Sequence, residues 1–232
     1  MTSADQMAIG VSLGLLTLAL AFLSVRGFLQ YAERRVRMQL MWASGLALSA
    51  GAMAVETIIY AGIVDMLLLQ AYVFLSAALV GVLSLGATKV LRSPRIERVY
   101  EVYTLACIAL VGIAAFSIRV PTSIVQAGVI TGNPPLLLIL ISTLVTGPAT
   151  VVLLASAAVS LRRSRKWQTL LMIAGALVLG AGGTLYIASF PVALYYAEFI
   201  GIVLLFLGLV SLQKLAAATS AGEHAGSSTP AE

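Results

Sequence analysis

Two glutamates stand among residues that belong away from water. Glu56 lies in "LSAGAMAVETIIYAGI" (48–63) and Glu198 in "PVALYYAEFIGIVLL" (191–205). Each has a tyrosine three or four residues off, Tyr60 after Glu56 and Tyr195 before Glu198, a spacing that puts phenol and carboxyl on one helical face. A phenol donates a hydrogen bond to a carboxylate and so lowers the cost of burying it. If the two helices touch, the carboxyls can share a proton or hold a cation, because like charges at short range do not both ionise cheaply. Arg119 is the third element, either a partner for one of these acids or for Asp65, or a solvated anchor. Glu56, Glu198, Tyr60, Tyr195 and Arg119 are therefore the candidates for a ligand or proton site. The competing reading has each glutamate separately neutral, or reaching out to the lipid headgroups.

Other chemistries lack their residues. His224, near the end of the chain, is the single histidine, which leaves no histidine metal site or proton relay among the apolar runs. The lone Cys107 has no partner for a disulfide and no metal-ligand spacing, and reads as a small buried hydrophobe. No H-E-x-x-H, G-x-S-x-G or Walker loop occurs. Neither enzymatic activity, nor a cofactor, nor a metal is expected.

The elements that must hold these residues are set by composition. Sixty per cent of the 232 residues are hydrophobic and 10% charged, against about a quarter charged in soluble domains. A hydrocarbon layer of about 30 Å takes about 20 apolar residues per helix. Seven runs qualify, at 7–25, 38–62, 66–88, 99–118, 135–160, 169–189 and 192–212. The first is read as a span rather than a cleaved leader, because no basic residue precedes it.

The fourteen basic residues test this count. Three connections, "RGFLQYAERRVR", "KVLRSPRIER" and "RRSRK", together with Lys214, carry thirteen of them, and Arg119 alone falls on the other side with Asp5 and Asp65. The positive-inside bias then places the N-terminus outside and the C-terminus inside. The net charge of +5 is a matter of topology and of anionic headgroups at the inner loops, not of nucleic acid. Glu56 and Glu198 then share a depth of about 10 Å below the outer boundary, at 1.5 Å per residue.

The expected architecture is an all-α, seven-helix bundle over 1–214 in the cell membrane, followed by a disordered cytoplasmic tail over 215–232. A parallel three-plus-one-plus-three repeat is geometrically allowed. Trp42 and Trp167 each open a span after a basic loop, where tryptophans commonly sit at the interface, and Tyr60 and Tyr186 lie near the outer ends of those spans. Small residues at four-residue spacing, Gly45 and Ser49, Ala43 and Ala47, Ala50 and Ala54, put the second span inside the bundle, and Ala176, Gly180 and Thr184 do the same for the sixth. Gly147 and Pro148 predict a kink in the fifth. Glu101, near Glu97 and Arg98, reads as part of a helix-end ion pair. The segment "RVPTSIVQAGVITGNPP" is apolar for a loop and either lies on the membrane surface or folds over the bundle mouth as a lid.

Through "LMWASGLALSAGAMAVETIIYAG" and "LMIAGALVLGAGGTLYIASFPVALYYAEFIG" the chain resembles the seven-helix membrane sensor region at the N-terminus of some microbial histidine kinases. The resemblance covers the membrane part alone and carries over no catalytic residue. It implies ligand or membrane sensing, with a separate cytoplasmic signalling protein as partner. The topology also resembles that of microbial rhodopsins, but the lysine that retinal requires in the seventh helix is missing. Seven-helix sugar transporters of the three-plus-one-plus-three kind share the topology without their paired Pro-Gln signature. A sensor-like or receptor-like bundle with an outward-facing polar cavity is the reading that results. A small-solute or proton-coupled transporter and an accessory subunit of a larger complex are the alternatives.

The topology is directly measurable. In a Cys107→Ser background, Asp65→Cys is expected to react with a membrane-impermeant thiol reagent in intact cells. Arg35→Cys and Arg165→Cys should react only after permeabilisation, and labelling of those two from opposite sides would refute seven crossings.

Overall fold

Away from water a backbone must satisfy its own amides, and an uninterrupted apolar run of 20 residues does so as an α-helix. The computed structural model describes residues 3–88, 93–126, 129–130 and 134–164, with scattered helical positions between 171 and 208. Five long helices follow one another: α1 (Ser3–Arg34), α2 (Arg37–Tyr60), α3 (Met66–Thr88), α4 (Pro94–Ser117) and α5 (Leu136–Ser164). Each contains a stretch long and apolar enough to cross a membrane, the character of a multi-pass membrane protein. The sixth and seventh expected spans, Trp167, Tyr186, the small-residue stripe of 176–184 and the tail lie outside the described residues, apart from isolated helical positions such as Leu171, Val178 and Phe199.

The turns are short and have local causes. Between α1 and α2 only Arg35 and Val36 are non-helical, with Arg35 in the left-handed region at φ 54°. The first connection is therefore not a loop, as its charge would indicate, because "RGFLQYAER" continues α1 for two more turns. Nothing in that stretch breaks a helix, and arginine, leucine, glutamine and glutamate are all good helix formers. After α2, Gly62 takes φ +94°, a conformation that other residues rarely adopt. Asp65 then accepts a hydrogen bond from the Leu67 amide at 3.2 Å, occupying one of the free donors at the start of α3. At α4, Pro94 opens the helix and Glu97 lies in its first turn, where the helix dipole favours an acid.

Neighbouring helices run antiparallel, as their facing residues show. Along α1 and α2, Thr17 meets Thr57 and Gly27 meets Ala43. Along α2 and α3, Gly51 faces Leu75, Gly45 faces Leu83 and Gly86 faces Trp42. Along α3 and α4, Gln70 meets Ile118 and Ser84 meets Tyr100. The bundle thus has a basic end, where α1 turns into α2 and α3 leads to α4, and an opposite end holding the two other connections.

Small residues set how closely the helices approach. A methyl group on Gly45 would lie 2.5 Å from Leu83 Cδ2, and one on Gly86 would overlap the Trp42 indole. Serines and threonines mostly hydrogen-bond to backbone carbonyls, including Ser24 Oγ across the α1–α2 contact to the Ala43 carbonyl at 3.0 Å. Of the stripe of small residues in α2, Ala43, Gly45 and Ser49 are buried, whereas Ala47, Ala50 and Ala54 are half-buried. Trp42 departs from expectation. It does not anchor at an interface but is 2% exposed, packed with Leu79, Leu83, Ala87 and Leu153 from α3 and α5. The lack of a side chain at Gly86 makes the room that sequence position alone does not reveal.

Two glycine substitutions should separate in sign. Gly86→Ala is expected to destabilise the protein in detergent by about 1–3 kcal/mol through overpacking. Gly14→Ala, with nothing within 4 Å of its added methyl group, should be neutral or stabilise by up to about 1 kcal/mol through helix propensity. Reversible unfolding in mixed micelles measures both.

Candidate functional site

Glu56 sits on the buried face of α2 with Ser49, Ala52, Met53 and Ile59, four residues before the helix ends at Tyr60. The helix stops two residues earlier than the apolar run implied, so the carboxyl is about one turn, roughly 6 Å, from the helix end. Even so, Glu56 is only 2% exposed. The headgroup-seeking alternative is thereby closed for this residue, since a glutamate reaching for the surface keeps its carboxylate in water.

Its surroundings come from three directions. On the α1 side, Thr17 and Thr57 place their hydroxyls 3.4 Å apart across the helix contact, while each also donates to a carbonyl one turn back, of Leu13 and Met53. The Tyr60 ring packs over Gly10 of α1, where a methyl group would lie 3.4 Å away. Tyr60 also packs against the buried cluster of Leu13, Leu16, Leu20, Leu46 and Met53, and Phe199 packs against that same cluster. Glu198 and Tyr195 lie outside the described residues. Phe199 thus packs on the α1–α2 pair whose α2 face carries Glu56.

The third direction is the end of the bundle. A short 3-10 turn, Thr122–Ile124, leads into β1 (Val125–Gln126), which pairs antiparallel with β2 (Val129–Ile130), with Val125 opposite Ile130. This small hairpin is the one departure from an all-helical chain among the described residues. The described part of this loop packs against the helix ends. Val120, Ile124 and Ile130 are buried in one cluster with Ile59 of α2, Leu69 of α3, Ala114 and Ala115 of α4 and Leu138 of α5. Strand β2 packs on α2. Gln70, 4% exposed, ties the cap down by donating from Nε2 to the Ile118 carbonyl at 3.0 Å. Its amide is a member of the site region that no spacing in the sequence signalled.

Arg119 is exposed, between half-buried Ile118 and buried Val120. The cap is extended here, so successive side chains alternate between bundle and surroundings, and the arginine falls on the outer side. It is a surface residue and not brought to Glu56. Asp65 is engaged locally, at the start of α3. At the basic end, Glu97 and Glu101 do not form a matter of α4 alone. With Arg37 and Met41 of α2 and Leu85 and Thr88 of α3 they line a shallow cleft.

No family model matches the chain, and no curated protein or solved structure is similar enough to it to carry an argument. The site therefore stands on its own geometry. That geometry is a carboxyl on the buried face of α2, about one turn from the helix end. Among the described residues no group of histidine, cysteine, aspartate and glutamate has the arrangement of a metal site.

The cap's packing sets how far Glu56 is sealed. In a Cys107→Ser background, a Glu56→Cys chain is expected to react slowly with a small thiol reagent. Adding Ile124→Ala, a core truncation costing about 2 kcal/mol or more, should speed the reaction at least tenfold if opening the cap is what admits the reagent. An unchanged rate would show that access runs elsewhere.

Proposed function

We propose that this is a receptor-like or sensor-like membrane bundle of seven helices. Its capped end faces the outside, its basic end faces the cytoplasm, and a site centred on Glu56 opens when the cap lifts. The observation that carries the reading is the burial of Glu56. A carboxyl held away from water costs free energy unless it is protonated or matched, and membrane-embedded acids are accordingly kept where they serve binding or proton transfer. Glu198 and Tyr195 are the proposed partners, supported by the packing of Phe199 on the cluster that Tyr60 also joins. A hydrogen-bond donor or a small cation from outside is the class of ligand that a buried carboxyl under an apolar cap would take.

The positive segments Arg34 to Arg37 and 162–166 would rest against anionic headgroups on the inner face. They would also present a surface to a separate cytoplasmic signalling protein, which is how a bundle without an enzymatic motif would pass on a signal. A second reading, proton-coupled or small-solute transport, is favoured by the same burial. A carboxyl closed off by a movable cap is what a carrier with alternating access uses.

Sealed liposomes containing the purified chain separate the two. The receptor reading expects no proton or cation leak above that of empty vesicles, and no change on Glu56→Gln. Flux in the native chain that Glu56→Gln lowers tenfold or more would establish transport and set the receptor reading aside.

A further inference from the structure

The second half of the bundle contains a joint. In an α-helix the carbonyl of residue i accepts from the amide of residue i+4. Pro148 has no amide hydrogen, so within α5 the carbonyl of Leu144 loses its donor. The missing bond is made from another helix. Tyr103 of α4 donates its hydroxyl to the Leu144 carbonyl at 2.7 Å. Both residues are well exposed on the outside of the bundle, Tyr103 at 39% and Leu144 at 47%. Tyr103 lies nine residues into α4 and Leu144 eight into α5. At 1.5 Å per residue the bond is roughly 12–14 Å from the nearer helix ends, about the middle of a 30 Å layer where water supplies no alternative.

The chain around Pro148 is suited to bending. Thr143, Thr146 and Thr150 each donate to the carbonyl four residues back, at 2.8, 3.2 and 2.9 Å, a habit that weakens and bends helices. Gly147 adds no side chain, and a methyl group there would meet only Thr143, at 3.9 Å. The two halves of α5 are also packed into different parts of the protein. Leu138 belongs to the cluster beneath the cap, together with Val120, Ile124 and Ile130, whereas Leu153 belongs to the Trp42 cluster nearer the basic end. Val145, the last core residue before the proline, packs with Ala77 and Val111. One turn back on the same face of α4, the Tyr100 hydroxyl lies 2.7 Å from Ser84 Oγ of α3.

We infer that Gly147–Pro148 is a hinge in α5 and that the Tyr103 hydroxyl is its latch, joining the cap-bearing half of α5 to α4 and releasing the other half to move. The inference rests on the membrane reading of the chain, and it supplies the receptor reading with a route from cap to basic end. Among the described residues Tyr103 supplies a side-chain donor to the freed carbonyl, and in hydrocarbon, where water offers no replacement, breaking the bond is costly and holds the open form at low population. Loss of the hydroxyl removes this difference between the two forms. Tyr103 is a positioning residue and touches no ligand.

The test is a double-mutant cycle on the full chain in lipid nanodiscs, with spin labels at Val99→Cys and Ala158→Cys in a Cys107→Ala background, which leaves no second hydrogen-bonding side chain beside Tyr103 at position 107. Tyr103→Phe is expected to raise the population of a second inter-label distance about fivefold, the worth of one neutral hydrogen bond. Pro148→Ala restores the amide that the Leu144 carbonyl lacks, so in that background Tyr103→Phe should leave the distance distribution unchanged. An equal effect of Tyr103→Phe in both backgrounds, or none in either, overturns the inference. Should Tyr103→Phe alone fail to fold, recovery of folded protein in Tyr103→Phe/Pro148→Ala supports the joint, and failure to recover overturns it. No ligand enters the experiment, so it succeeds or fails independently of the liposome result.

Discussion

A backbone amide or carbonyl without a partner costs several kcal/mol in hydrocarbon, and this constraint shapes each level of the protein. It makes the apolar runs helical and lets α1 continue through its polar last turns. It sends serine and threonine hydroxyls to carbonyls, as Thr17, Thr57, Ser84 and Ser156 show. Where proline withdraws an amide in α5, the same constraint recruits Tyr103 from α4.

Because lipid tails are as apolar as leucine, the helices associate through close contact rather than through exclusion of water. Gly45 and Gly86 are where this is plainest, since each removes a side chain exactly opposite a large one on the neighbouring helix. The result at Gly86 is an indole sunk into the bundle, and α2 becomes the helix around which α1 and α3 are arranged. The large apolar residues that remain exposed, such as Leu15, Leu18 and Phe22 on α1 or Ile113 and Phe116 on α4, form the face such a bundle offers to lipid.

The site follows from the meeting of these two effects at one end. Glu56 is close to the end of α2 and by depth alone could reach water. Its burial prevents this, and at the same end of the bundle Val120, Ile124 and Ile130 are buried against four helices. Leu138 ties the first half of α5 into that cluster.

The helical class, the crossing of a membrane and the boundaries of α3 were legible in the chain because they depend on runs of like residues, a local property. The buried stripe of α2 was legible for a similar reason, small residues at a four-residue period. The end of α1 was misjudged because charge marks a change of surroundings and not a break in the helix, whereas α2 ends two residues early where Gly62 turns the chain. Three features were decided by tertiary structure alone: the burial of Trp42, the covering role of the loop with Arg119 turned outward, and the bond from Tyr103 to Leu144. Trp42 lies 44 residues from Gly86 and Tyr103 lies 41 from Leu144, and the loop packs on helices as far back in the chain as α2. Local sequence carries hydropathy and propensity, but which cavity receives an indole, or which hydroxyl meets a freed carbonyl, is settled only when the helices are set side by side.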